Sequence, residues 1–237
     1  MIKKPWAGRF KKSTHKVAEK FSSSIDFDRK LYKQDVAGSI AHVRMLSETG
    51  IIQKKEADKI IKALGQREKE IESGKFPFRD EFEDIHLNIE KRLIEKIGEV
   101  GGKIHTARSR NDQIALDMRL YLRDEIRDIT GLLKAVSERL VETASENMDT
   151  LMPLYTHLQR GQPILLPHLL MAFFEMFRRD RDRYIDCLKR LHIMPLGSGA
   201  GAGTTFPIDR EHTAELLGFP EVSRNSIDSV SDRDFII

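Results

Sequence analysis

A helical stripe of unusual length constrains this chain more than any other feature. Beyond Gly101-Gly102, Ile114, Met118, Tyr121, Ile126, Ile129, Leu133, Val136 and Leu140 keep one helix face apolar through about ten turns. At 1.5 Å per residue such a helix spans roughly 50 Å, more than the diameter of a compact small domain. Helices of that length bury their stripes against one another in elongated bundles or coiled coils. Gly131 weakens the helix without breaking it. Leu170, Phe173, Phe174, Phe177, Tyr184, Leu188 and Leu191 mark a second long helix. A mainly α fold organised by a long-helix bundle is therefore expected.

Shorter helical patterns precede it. Tyr32, Val36, Ile40, Val43 and Leu46 form one stripe ending at Gly50; Ala57, Ile60, Ile61, Leu64 and Ile71 form another closing at Gly74. Ile85, Ile89, Leu93 and Ile97 mark a third that closes at Gly98, with Asp84 placed to cap its start. The reading is a small N-terminal helical domain over 1–105, followed by the first part of the bundle domain over 106–237. No alternating strand pattern competes, and Pro153, Pro163 and Pro167 bracket what reads as an irregular polar segment. A short helix is expected from Asp209 to Leu217. Another begins near Asp228 and is still unfinished at Ile237, which suggests a truncated protein.

Several function classes are excluded. Forty Lys and Arg against 37 Asp and Glu leave a formal charge of +3, so no nucleic-acid surface is implied. The run Arg178 to Arg183 alternates in sign and reads as a solvated, salt-bridged helix face. The longest uncharged stretch, 161–174, contains two Pro, a Gln and a His, so neither a membrane span nor a signal peptide is expected. A single cysteine, Cys187, forbids an intrachain disulfide, reads as a small buried thiol and fits a reducing cytoplasm. Metal-ligand spacings such as H-E-x-x-H or paired C-x-x-C are missing, so no metal is expected. Gly197 to Gly203 is small-residue rich, but a long helix precedes it. It reads as a tight loop or a close backbone approach rather than a dinucleotide fingerprint.

Two segments concentrate polar chemistry. His105-Thr-Ala-Arg-Ser-Arg-Asn-Asp112 lies where the Gly-Gly turn meets the longest helix, whose first amides are unsatisfied donors with partial positive charge. Arg108, Ser109, Arg110 and Asn111 added to those amides make a cradle for a carboxylate or phosphate. Equally, Ser109 or Asn111 could simply cap the helix while both arginines pair with acids such as Asp112 and Asp117, and sequence alone leaves both readings open. Thr156-His-Leu-Gln-Arg-Gly-Gln-Pro163 gathers hydrogen-bonding groups in an interrupted stretch, the kind of place where sites are built. A carboxylate cradle with weakly basic side chains suits proton abstraction beside a carboxylate.

These segments, with Trp6-Ala-Gly-Arg-Phe10, Asp35-Val-Ala-Gly-Ser39, Glu83-Asp-Ile-His86, Met152 to Gln159, Leu196-Gly-Ser-Gly-Ala200 and Asn225 to Phe235, resemble the argininosuccinate lyase family in order along the whole chain. The resemblance implies a fumarase/aspartase-like fold of mostly helical domains around a bundle of very long helices. It also implies a homotetramer whose sites combine residues from several subunits, and elimination of fumarate from argininosuccinate with release of arginine and without any cofactor. By the same resemblance Ser24, Asn111 and Thr156 contact substrate, and His157 contacts it and serves acid-base chemistry. Ser109 and Arg110 grip a carboxylate, and His86, His105 and Gln159 line the site. Ala107, Leu154 and Gly161 depart from the family's usual Gly, Gly and Ala. The family's mobile loop, with its catalytic Ser and a Lys, is not among these residues, so the chain is expected to be incomplete. The alternative is a crystallin-like or assembly role without turnover.

Overall fold

A computed structural model describes residues 15–237, so the motif at Trp6 to Phe10 lies outside the described residues. In chain order the main elements are α1 (Lys16–Ser22), α2 (Ile25–Asp28), α3 (Tyr32–Glu48), α4 (Lys54–Glu72), α5 (Ile85–Ile97) and α6 (Arg110–Glu146). They continue with β1 (Leu151–Thr156), β2 (Gln159–Leu165), α7 (Leu166–Leu191), α8 (Arg210–Leu217) and α9 (Ser226–Ser231). Packing divides them into two compact units. The first holds the described residues up to Met118 together with Met194–Ser231, and the second holds Arg119–Ile193 with Asp232–Ile237. Helix α6 runs through both. A division at 105/106 follows chain order, whereas close packing divides α6 itself and makes the first unit discontinuous.

The first unit's core comes from the expected stripes: Val36, Val43 and Leu46 of α3, Ile60 and Leu64 of α4, and Ile85, Ile89 and Leu93 of α5 are all buried. Removing each such side chain from water contributes about 1.5–3 kcal/mol. Gln53 and Glu56 form a capping box at the start of α4, and Asp84 Oδ1 accepts from Leu87 N at 2.6 Å at the start of α5. Helix α3 approaches α6 closely at Gly38, where an added Cβ would stand 2.9 Å from Leu116 Cδ2. Along the first turns of α6 the expected stripe sits beside the buried face, whereas further on its member Ile126 is buried as expected. Ala115, Leu116 and Leu120 are buried, while Ile114, Met118 and Tyr121 are only half-buried.

The second unit differs from expectation in one element. The segment at 151–165 is an antiparallel hairpin, with Leu151 opposite Leu165 and Thr156 opposite Gln159. His157 (φ 48°) and Leu158 (φ 61°) form its two-residue turn, both in the left-handed region that such turns require. Neither residue is Gly or Asn, and Pro153 faces Pro163 across the ladder, so the usual hairpin signals are missing. At the chain's end, α9 closes after six residues and a 3₁₀ turn, Asp234–Ile236, follows. Phe235 is buried there beneath the Arg119 guanidinium, 3.9 Å from the ring centroid, and Arg119 Nη2 donates to Asp232 Oδ2 at 2.7 Å. Cys187 is half-buried and donates to Phe235 O at 3.3 Å. The arginine-rich face of α7 is exposed and paired along the helix, Arg178 with Glu175 and Arg183 with Asp180.

Candidate active site

Loop 105–112 is fixed from three sides within the first unit. Ser109 caps α6: its Oγ accepts from Asn111 N at 3.3 Å, and its own N–H donates to Asp112 Oδ1 at 3.0 Å. The other Asp112 oxygen accepts from Gly197 N (3.0 Å) and Gly199 N (2.8 Å), so one carboxylate joins the helix start to the glycine-rich loop. That loop folds tightly on itself. At Gly199 (φ 62°) an added Cβ would stand 2.5 Å from Gly203 O. Asn111 is exposed and donates to Ala200 O at 3.4 Å. Ala107 sits at φ 57°, a conformation that suits the family's glycine better than alanine.

Helix α3 supplies the second side through Asp35 and Ser39, which the sequence offered only as the ends of a motif, and His42, which it did not single out. Asp35, Ser39 and His42 are buried at helical spacing beside the apolar stripe. Ser39 Oγ accepts from Arg108 Nη1 at 2.9 Å, and His42 Nε2 donates to Thr106 O at 2.8 Å. Burial, with help from Arg108, pushes the His42 imidazole down to about 3. The polar spacing at 35, 39 and 42 was the available signal, masked by Val36, Ile40 and Val43 alongside it.

Helix α5 supplies the third. Arg110 lies 3.6 Å from both Asp84 Oδ2 and Glu90 Oε2 and donates to Gln113 Oε1 at 3.3 Å. His105 Nδ1 is 3.6 Å from Glu90, and burial beside Arg108 and Arg110 lowers its ring to about 4. At neutral pH His105 is therefore an uncharged hydrogen-bonding group. Just before α5, Glu83 (φ 62°, ψ −53°) centres a tight γ-turn of the strained hand, closed by Asp84 N donating to Phe82 O at 2.7 Å. This turn aims the Glu83 carbonyl at Ser23 Oγ (3.2 Å), Ser24 N (2.8 Å) and Ile25 N (3.0 Å). Ser24 Oγ donates to Asp28 Oδ2 at 2.5 Å, and Asp28 Oδ1 accepts from Ile85 N at 3.1 Å. Ser24, Ser109, Arg110, Asn111 and His105 thus belong to one network.

His86, expected at the wall of the site, is buried at 2% exposure. Its Nδ1 lies 2.9 Å from Asp35 Oδ1 and 3.3 Å from Asp117 Oδ2, and Gln113 Nε2 also donates to Asp35. Burial raises the Asp35 carboxyl, but the His86 ring and the Arg108 guanidinium outweigh it and hold the group at about 2. Burial and the neighbouring Asp35 push Asp117 well up. Asp35, His86 and Asp117 bring potential ligand atoms within 4.8 Å of one another. A cation there would also meet the field of Arg108, which already acts on both carboxylates, so this donor set does not fit a metal.

The remaining expected residues lie in the second unit. Thr156, His157 and Gln159 are all exposed at the end of the hairpin, and Leu158 beside them is 97% exposed. Their placement rests on the turn's backbone rather than on packing.

Among the described residues no helix is long and apolar enough to cross a membrane. A family model described as lyase matches residues 8–237. An argininosuccinate lyase of Syntrophotalea carbinolica is 59% identical over all of this chain, which covers 51% of that relative. The chain spans about half the length of the curated relatives it matches. Among solved structures, EDDS lyase in complex with formate aligns with a TM-score of 0.78 at 34% identity, over 88% of this chain and 41% of that one. A fumarate lyase:delta crystallin from Brucella melitensis, bound to cobalt, shares the fold with a TM-score of 0.74 at 15% identity, over 97% of this chain and 53% of that one. Matched almost end to end by the family model, and sharing more than half of its residues with the Syntrophotalea relative in a fumarate-lyase-like helical fold, the chain belongs to the lyase family.

Proposed function

We propose that this chain contributes to an argininosuccinate lyase, a cytoplasmic enzyme of arginine biosynthesis that eliminates fumarate from argininosuccinate and releases arginine. The observation that carries the reading is loop 105–112. It holds two guanidinium groups, a capping serine and an exposed amide at the start of a 37-residue helix, all braced from behind. Fixed donors of this kind stabilise negative charge developing on a carboxylate as the neighbouring proton is removed. In this reading Ser109 and Arg110 hold a carboxylate, Ser24, Asn111 and Thr156 contact substrate, and His157 handles the proton. His105 and Gln159 complete the lining, and His86 acts from beneath it. The reading uses no cofactor and no metal.

The assembly in this reading is a homotetramer with sites shared between subunits. Support comes from apolar side chains that the second unit leaves uncovered, among them Leu132 at 68% exposure, Val136, Phe173 and Met176. The domain organisation remains 1–105 and 106–237, with the second part entering the long-helix bundle.

The test is fumarate release from argininosuccinate by the 237-residue chain, alone and mixed with the second half of the Syntrophotalea relative. Activity only in the mixture, lost with His157→Ala, is expected. Absence of activity in both, with argininosuccinate still bound, would favour a non-catalytic crystallin-like or assembly role. Sedimentation of a compact monomer would count against the tetramer.

A further inference from the structure

We propose that Asp117 is a positioning residue carried as a neutral carboxylic acid, its proton directed at Asp35, and that this pair fixes loop 105–112 against α3. Asp35 and Asp117 bring four carboxylate oxygens into a space where the two residues are 2% and 1% exposed. Asp35 Oδ1 takes both the His86 Nδ1 and the Gln113 Nε2 interactions. Arg108 directs its Nη1 to Ser39 instead. Among the described residues neither oxygen of Asp117 accepts a hydrogen bond, although Asp117 lies within hydrogen-bonding reach of Asp35. The one ring nitrogen near it, His86 Nδ1 at 3.3 Å from Oδ2, is already taken by Asp35 at 2.9 Å, so an ionised Asp117 would be buried without a hydrogen bond, which proteins avoid by neutralising the group. A protonated Asp117 removes the mismatch by supplying a donor for Asp35.

The surrounding charges agree. Facing the pair are Arg108 and Arg110 from the loop, with His105 behind them, and His86 from α5. Asp112 on α6 is occupied by three backbone amides, and Arg210 of α8 acts on Asp112. Asp84 and Glu90 of α5 engage Arg110, His42 of α3 engages Thr106, and Asp28 of α2 engages Ser24 and Ile85. With Asp117 neutral, Asp35 is the anion of the pair that attracts Arg108, and it draws that side chain to the same face of α3 where Ser39 accepts its hydrogen bond. Asp117 lies against α3 where Gly38 has no side chain: its Oδ1 would stand 3.5 Å from a Cβ added there. What the loop binds rests on the reading above, but the shared proton does not.

The experiment uses the 237-residue chain without turnover, so an inactive chain leaves it intact. Infrared difference spectra at pH 7 should show a protonated-carboxyl band that Asp117→Asn removes and Asp112→Asn keeps. Folding takes up a proton at Asp117 above its unfolded value of about 4, so the contribution of this group to stability falls as pH rises from there toward the folded value. Asp117→Asn keeps the donor and should flatten that slope, at equal or greater stability at pH 8. Asp117→Leu lacks the donor and should be less stable than Asp117→Asn. The Arg108 Nε resonance should move with pH in the wild type and stay fixed in Asp117→Asn. A missing band, an Asp117→Asn chain that does not fold, or equal stability of the Asn and Leu variants would overturn the proposal. So would ¹⁵N shifts placing the proton on the His86 ring at pH 7.

Discussion

Loop 105–112 and hairpin 151–165 carry the two polar motifs of the chain, and they are held in opposite ways. The loop is braced by α3, α5 and the glycine-rich turn, so that nearly every polar group in it meets a partner from its own unit. The hairpin presents Thr156, His157 and Gln159 to solvent on a turn whose geometry comes from two left-handed residues. In the loop, the candidate site residues also hold the structure together. In the hairpin they are separable.

Substitutions can break that contrast, and the largest effect belongs to the loop. Asp112→Ala strips three backbone amides of their acceptor and should cost about 3 kcal/mol or more in urea unfolding. A cost under about 1 kcal/mol would show that the loop is not braced as described. Next comes acid sensitivity. His42 and His105 are held at about 3 and about 4, below the free imidazole, so folding excludes their protons. The contribution of these two rings should be full above pH ~6.5 and fall as pH drops from there toward the folded values, opposite in sign to the contribution of Asp117. His42→Gln retains a donor for Thr106 and should flatten that acid limb in thermal melts between pH 7 and 4. Ala107→Gly relieves a left-handed alanine and should raise stability by about 0.5–1 kcal/mol, read as a higher melting temperature. His157→Ala, at the exposed turn, should change stability by less than about 0.5 kcal/mol even where it abolishes turnover. A larger loss there would tie the hairpin to stability and erase the distinction.

The helices were legible because burial follows period: Val36, Ile60, Ile89 and their neighbours sit where the stripes put them. The start of α6 was harder to read. It is enclosed on several faces at once, so Ala115, Leu116, Asp117 and Arg119 are all buried and a single apolar stripe cannot describe it. The hairpin escaped because a turn of His and Leu carries no glycine signal, and prolines in paired strands argue against strands. At the site, the Arg and Ser residues of 105–112 were visible as a cluster. Of the groups that brace them, Asp117 stood only as one possible partner of the arginines and Ser39 only within a motif, while His42 went unread, because buried polar residues on a helix look like surface polar residues until their partners are known.

The Asp112 carboxylate also has a bearing on how the chain folds. Its bonds to Gly197 and Gly199 close loops of 85 and 87 residues, with the whole hairpin and α7 strung between. Closing a loop that long is slow relative to forming any of the helices it joins. During synthesis, α3, α4 and α5 can pack as they emerge, but the start of α6 lacks its amide partners until the ribosome has released Gly199. Ordering of loop 105–112 is thus a late event in the life of the nascent chain, and pulse-labelled hydrogen exchange should find its amides protected after those of α5.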